Sequence, residues 1–182
     1  MHRLRVIPCV LTLTIFQAGL IAGPFLVSNL VSNIPAFATN TDPNLQNAWG
    51  LATSATSPFW VGSNGAGLST LYNSAGTPQP LVVTIPGDGS VTGVTFNGGG
   101  GGSFNGDIFL FASEDGTISG WRGALGTNAE TLVLANPSNI YKGITQAVVG
   151  TDSYAYSANF RAGTIDVLKG NPAAPNLPGS LN

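Results

Sequence analysis

The sequence predicts an all-β fold, β-propeller-like, with about three blade repeats of antiparallel sheets in a partial ring. Two period markers and a hairpin pattern carry the prediction. An aromatic-rich strand runs through a turn into a second, glycine-led strand three times, with the turn glycines at 67, 116 and 163, spaced 49 and 47 residues apart. A second marker, glycine followed by an aliphatic residue, opens each repeat at Gly50-Leu51, Gly93-Val94 and Gly143-Ile144, 43 and 50 residues apart. A period of this size, made of short strands and turns, is the signature of a propeller blade.

The N-terminus has its own character. Met1-His2-Arg3-Leu4-Arg5 carries two arginines, and the 16 residues from Val6 to Ile21 are almost wholly apolar. This reads as a secretory signal peptide over residues 1–23, with the propeller-like domain over 24–182. A bilayer span needs about 20 apolar residues, and this run is shorter and broken by Pro8, Gln17 and Gly19, so no membrane span is expected in the mature chain. Export, to the exterior or the cell surface, is the expected destination.

Export narrows the chemistry. His2, Cys9 and Met1 leave with the signal, so no histidine, cysteine or methionine remains. Ser-His-Asp and Cys-His triads and histidine-based zinc sites are thereby excluded, and without disulfides stability must come from a packed core. Only Arg122, Lys142, Arg161 and Lys169 remain against eight acids, a net charge of −4. Four scattered cations cannot form a phosphate-binding patch, which excludes nucleic acid as a partner.

The elements follow in order. Alternation in Leu26–Ser32 suggests an opening strand, and Asp42-Pro43-Asn44 a turn. The repeats then occupy approximately 48–90, 91–140 and 141–182. Each should hold an inner strand after its first glycine, an aromatic strand (from Phe59, Phe109 or Tyr154), a glycine-led strand and an outer strand. Leu81–Ile85 and Glu130–Leu134 are the outer strands of the first two repeats. Asp115-Gly116 favours a tight type I′ hairpin and Asn64-Gly65 a longer turn. In the third copy Ile165 and Val167 share the face opposite Thr164 and Asp166, as expected at an interface between blades. Successive glycines cannot hold a strand, so Asn97–Ser103 is expected as a mobile loop; it lacks the lysine and following helix of a phosphate cradle.

The cassette Tyr156-Ser157-Ala158-Asn159 with Gly163-Thr164-Ile165-Asp166-Val167 resembles the YVTN and NHL classes of propeller repeat. Residues 29–35 (NLVSNIP), 41–52 (TDPNLQNAWGLA), 69–73 (STLYN), 105–107 (NGD) and 112–121 (ASEDGTISGW) are similar to an uncharacterised family of exported bacterial propeller-like proteins. The resemblance runs from about residue 25 to the end. It implies a secreted propeller, in some relatives with a C-terminal sorting or anchoring tail, and brings no established activity. Such relatives are about twice as long, so this chain reads as truncated to about half length. Independently, propellers close with four or more blades, and three leave two bare sheet faces. The alternatives are dimerisation through the open blade edges or a different closed β fold.

What chemistry remains is that of carboxylates and amides. Asp42, Asn44, Asn47, Glu114, Asp115 and Asn159 are candidates for a funnel binding a hard cation such as calcium, with Asp42, Asn47, Glu114 and Asn159 as the metal set. Asp42, Asn44, Asp115 and Asn159 also read as turn builders, and Glu114 as a solvated strand end. Trp49, Trp60 and Trp121 read as packing between sheets ahead of a carbohydrate-stacking surface. The expected function is a binding or interaction module for a protein or carbohydrate ligand, without catalytic residues and without an obligatory cofactor. A metal-assisted lactonase or ester hydrolase, and a truncated chain without function of its own, are the alternatives.

Overall fold

The computed structural model describes residues 25–99 and 101–181, and the expected signal peptide lies outside them. The described chain is all-β, with thirteen strands and two short 3₁₀ turns, Ser103–Gly106 and Gly123–Leu125. β1 (Val31–Ser32) and β2 (Asn40–Thr41) form a small parallel ribbon. β3 (Ala48–Ala52), β4 (Phe59–Ser63), β5 (Leu68–Tyr72) and β6 (Pro78–Thr84) make the first antiparallel sheet. The second contains β7 (Val91–Phe96), β8 (Phe109–Ser113), β9 (Ile118–Trp121) and β10 (Glu130–Val133). The third has three strands, β11 (Tyr141–Val149), β12 (Asp152–Asn159) and β13 (Thr164–Lys169). Each is a meander of sequential neighbours, as short hairpin connections dictate.

The sheets stack face to face because alternate residues of each strand are apolar. Between the first and second, Trp60 stacks on Phe109 with ring centroids 4.3 Å apart and meets Trp121 at 4.8 Å, within a core completed by Leu71, Val83, Val91 and Phe111. Leu110, Ala112 and Ile118 on the other face of the second sheet pack toward Ile144, Ala155 and Leu168 of the third. The first strands β3, β7 and β11 lie side by side at one edge of the stack. Glycine makes this approach possible. A Cβ on Gly50 would stand 2.6 Å from the Val94 amide nitrogen, and one on Gly93 would stand 2.6 Å from that of Ile144.

Three expectations require correction. The opening strand shrinks to Val31–Ser32, while Phe25, Leu26 and Val27 are exposed. The ribbon is tied instead to the first sheet, through the Asn40 side-chain amide donating to the Ala75 carbonyl at 2.9 Å. The Asp115-Gly116 turn is not type I′, since only Gly116 has positive φ (85°); Asp115 stays on the negative side and accepts from the Thr117 amide at 2.9 Å. Finally, among the described residues the third sheet ends at β13, without the outer strand expected of each repeat. The chain beside the glycine-rich segment is tied to the third sheet. Gly99 packs against Ser153, Phe104 is buried, and the Phe104 amide donates to the Gly170 carbonyl at 2.7 Å.

In the third repeat Val167 is buried, but Ile165 on the same face is 53% exposed. The segment after β13 covers only one end of that face. Ala174 and Leu177 pack on Tyr154, Tyr156 and Val167, and Val167 exchanges hydrogen bonds with Gly179 and Leu181.

Candidate functional site

Side by side, the three first strands form the floor of a groove of about 580 Å³. Its lining is largely main chain at Gly50, Gly93 and Gly143, with Trp49, Thr92 and Lys142 supplying the functional side chains. Thr92 is buried and donates its hydroxyl to the Tyr141 carbonyl at 2.7 Å, joining the second sheet to the third.

A polar relay crosses all three sheets beside the groove. Asn47, held in the left-handed region (φ 49°) just before β3, donates from Nδ2 to Asn64 Oδ1 at 3.0 Å. Asn64, just past β4, donates in turn to Glu114 Oε2 at 3.3 Å. Glu114, just past β8, pairs with the Lys142 ammonium from β11. That ammonium sits 4.9 Å above the centre of the Trp49 ring, a cation–π contact that returns to the first sheet. Glu114 and Lys142 are each about a third exposed, which holds the pair to about 1 kcal/mol or less. The relay orients groups at the groove more than it stabilises the fold.

The proposed metal set divides among different partners. Asp42 is buried, accepting the Tyr72 hydroxyl at 2.7 Å and the Asn44 amide at 2.9 Å. Burial, reinforced by Asp42, pushes the Tyr72 phenol well above its usual range. Asn47 and Glu114 belong to the relay. Asn159 is buried, its Oδ1 receiving the Ile140 and Ala162 amides and its Nδ2 donating to Asp166 and Asn139. Asp115 braces the loop before β7, accepting the Asp88 amide at 2.9 Å. Among the described residues no group of three or more histidine, cysteine, aspartate or glutamate side chains is arranged to hold a metal ion.

Two features escaped the sequence reading. Trp60 and Trp121 are core residues, 3% and 9% exposed, yet Trp49 is 46% exposed beside the groove. Its position one residue before Gly50, where the side chain alternates away from the packed face, was the available signal. The second feature is a charge cluster built around one buried carboxylate. Arg122 contacts Asp107 at 2.9 Å and Glu130 at 2.7 Å, and the Asp107 side chain is wholly inaccessible. Burial pushes the Asp107 carboxyl up to about 6, against the opposing pull of Arg122. The hydrogen bond from Arg122 holds Glu130 below the usual range. Neither family models nor curated proteins yield a match to this chain.

Proposed function

We propose that this chain is an exported, propeller-type binding module, and that it takes a neutral oligosaccharide along the groove floored by β3, β7 and β11. Trp49, 46% exposed at the groove with the Lys142 ammonium over one face of its ring, carries the reading. An indole at the wall of an open groove provides an apolar platform for a sugar ring, and the Asn47 and Asn64 amides and the Lys142–Glu114 pair supply hydrogen-bonding groups close by. At Gly50, Gly93 and Gly143 the floor of the groove presents main chain. Glu114, the carboxylate on which a metal-assisted hydrolase would lean, is already engaged by Lys142, which favours recognition over catalysis.

The test is a fluorescence titration of the full chain with a panel of neutral oligosaccharides, with peptides as a comparison arm. A binding oligosaccharide should perturb tryptophan emission, and Trp49→Ala should weaken its affinity at least tenfold while leaving the fold intact by circular dichroism. If no oligosaccharide binds, or if binding survives Trp49→Ala, the proposal is wrong; a response confined to peptides would place the ligand in another class.

A further inference from the structure

One steric contact occurs twice between neighbouring sheets, and both of its halves occur a third time without a partner. At the first junction Val94 approaches Gly50 and Gly62, whose Cβ positions lie 2.6 Å from the Val94 amide nitrogen and 3.2 Å from its side chain; Val94 is 7% exposed. At the second, Ile144 stands 2.6 Å from the Cβ position of Gly93, on the face that carries Ala112. The receiving half is therefore a glycine on the first strand with a small residue on the second. The inserting half is the aliphatic residue after the next repeat's glycine.

In the third sheet the receiving half is open. A Cβ on Gly143 would meet nothing within 4 Å, and Ala158, at the register position of Gly62, faces Ile165 across β12 and β13. The inserting half is equally free in the first sheet. Leu51 follows Gly50 as Val94 follows Gly93, and it is 63% exposed. Behind it lies an apolar groove of about 240 Å³ with Phe59, Val61 and Leu30.

We infer that a second copy of this chain occupies these faces head to tail, with Leu51 of one copy seated on Gly143 and Ala158 of the other. The occupant is a copy of the same chain because the chain itself carries both complementary halves, in the chemistry that its two internal junctions already use. The contact joins unlike faces, so it closes by rotation or extends; two copies present six sheets, within the roughly four to eight at which propeller rings close. The inference rests on the propeller reading for ring closure and is independent of what the groove binds.

Light scattering on the full wild-type chain should give twice the chain mass. In a Cys9→Ser background, an equimolar mixture of Leu51→Cys and Gly143→Cys chains should form a disulfide-linked pair under mild oxidation, absent from either variant alone. Mixing separate variants makes any such bond intermolecular. A monomer mass at the highest soluble concentration overturns the inference without recourse to a variant. A dimer mass from folded variants that yield no mixed cross-link overturns this contact.

Discussion

Gly93→Ala and Gly143→Ala make the same chemical change at equivalent points of adjacent repeats, and the packing predicts opposite signs. A methyl group on Gly93 would lie 2.6 Å from the Ile144 amide nitrogen and 2.9 Å from both the carbonyl carbon and Cα of Gly143. These are main-chain atoms of β11, which cannot swing aside as a side chain would. The second and third sheets must therefore separate at their closest approach, and overpacking of this kind costs about 1–3 kcal/mol. The neighbouring hydrogen bond from Thr92 to the Tyr141 carbonyl spans the same junction and stands to lose about 1 kcal/mol. Against this, alanine is favoured over glycine within a strand by about 0.5–1 kcal/mol. The net expectation for Gly93→Ala is a loss of about 1–3.5 kcal/mol, a fall in Tm of about 2–14 °C at this chain length. Gly143→Ala meets open space and retains only the favourable part, a gain of about 0.5–1 kcal/mol. Urea denaturation followed by the buried tryptophans would measure both, at protein concentrations low enough to keep copies apart. Full stability in Gly93→Ala, or equal loss in the two variants, would refute the assignment of β7–β11 as the tight junction.

Two further outcomes rest on buried polar groups. Tyr72→Phe removes the hydroxyl that Asp42 accepts at 2.7 Å and leaves that carboxylate buried without it, so urea denaturation should register a loss of about 1–3 kcal/mol. Asp107 has its folded pKa raised to about 6, above the unfolded value of about 3.9, so the folded state holds the extra proton between these limits. Its contribution to stability is consequently present below about pH 4 and lost as pH rises through about 6, by up to about 3 kcal/mol before the opposite contribution of Glu130. Comparing urea midpoints of wild type and Asp107→Asn from pH 4 to 7 should show the wild type declining relative to the variant, and parallel profiles would contradict the assignment.

The parts of the fold that depend on local rules were readable in the sequence. Strand positions follow from alternation, and the three hairpins require positive φ at Gly67, Gly116 and Gly163, observed at 66°, 85° and 69°. The type of the Asp115-Gly116 turn was not readable, because Asp115 is held by hydrogen bonds to Thr117 and Asp88 rather than by its own preference. Glu114 stood out as a residue that turn chemistry did not explain, but its partner Lys142 lies 28 positions away and is selected by the stacking of sheets. The same applies to Arg122 between Asp107 and Glu130. Trp49 escaped because an aromatic near a strand is usually core, and only the alternation of the first strand, resolved against its neighbours, turns it outward.

The constraints on the groove suggest where its specificity resides. Gly50 and Gly93 are fixed by contacts of 2.6 Å to neighbouring main chain, so any side chain placed there would part the sheets before it could reach a ligand. The floor can therefore supply shape and backbone groups but no varied chemistry. Freedom to vary lies at strand ends, where Asn64, Glu114 and Phe160 occupy equivalent positions just past the second strands of the three repeats, their amides donating to the Asn47, Ser90 and Ile140 carbonyls. Two of the three, Asn64 and Glu114, join the relay to Lys142 and Trp49, while Phe160 is exposed and Asn159 before it turns inward to cap its own hairpin and bind Asp166. On the proposed reading, recognition is concentrated where the first two repeats meet Lys142 of the third, and a ligand read at this place would contact all three sheets while depending on very few side chains. On the same reading, a scaffold whose packing positions are so tightly specified can change what it binds by altering Asn64, Glu114 or Lys142 at little cost to stability, since each is only partly buried and the one ion pair among them is weak, whereas Asn47 is held by its left-handed backbone.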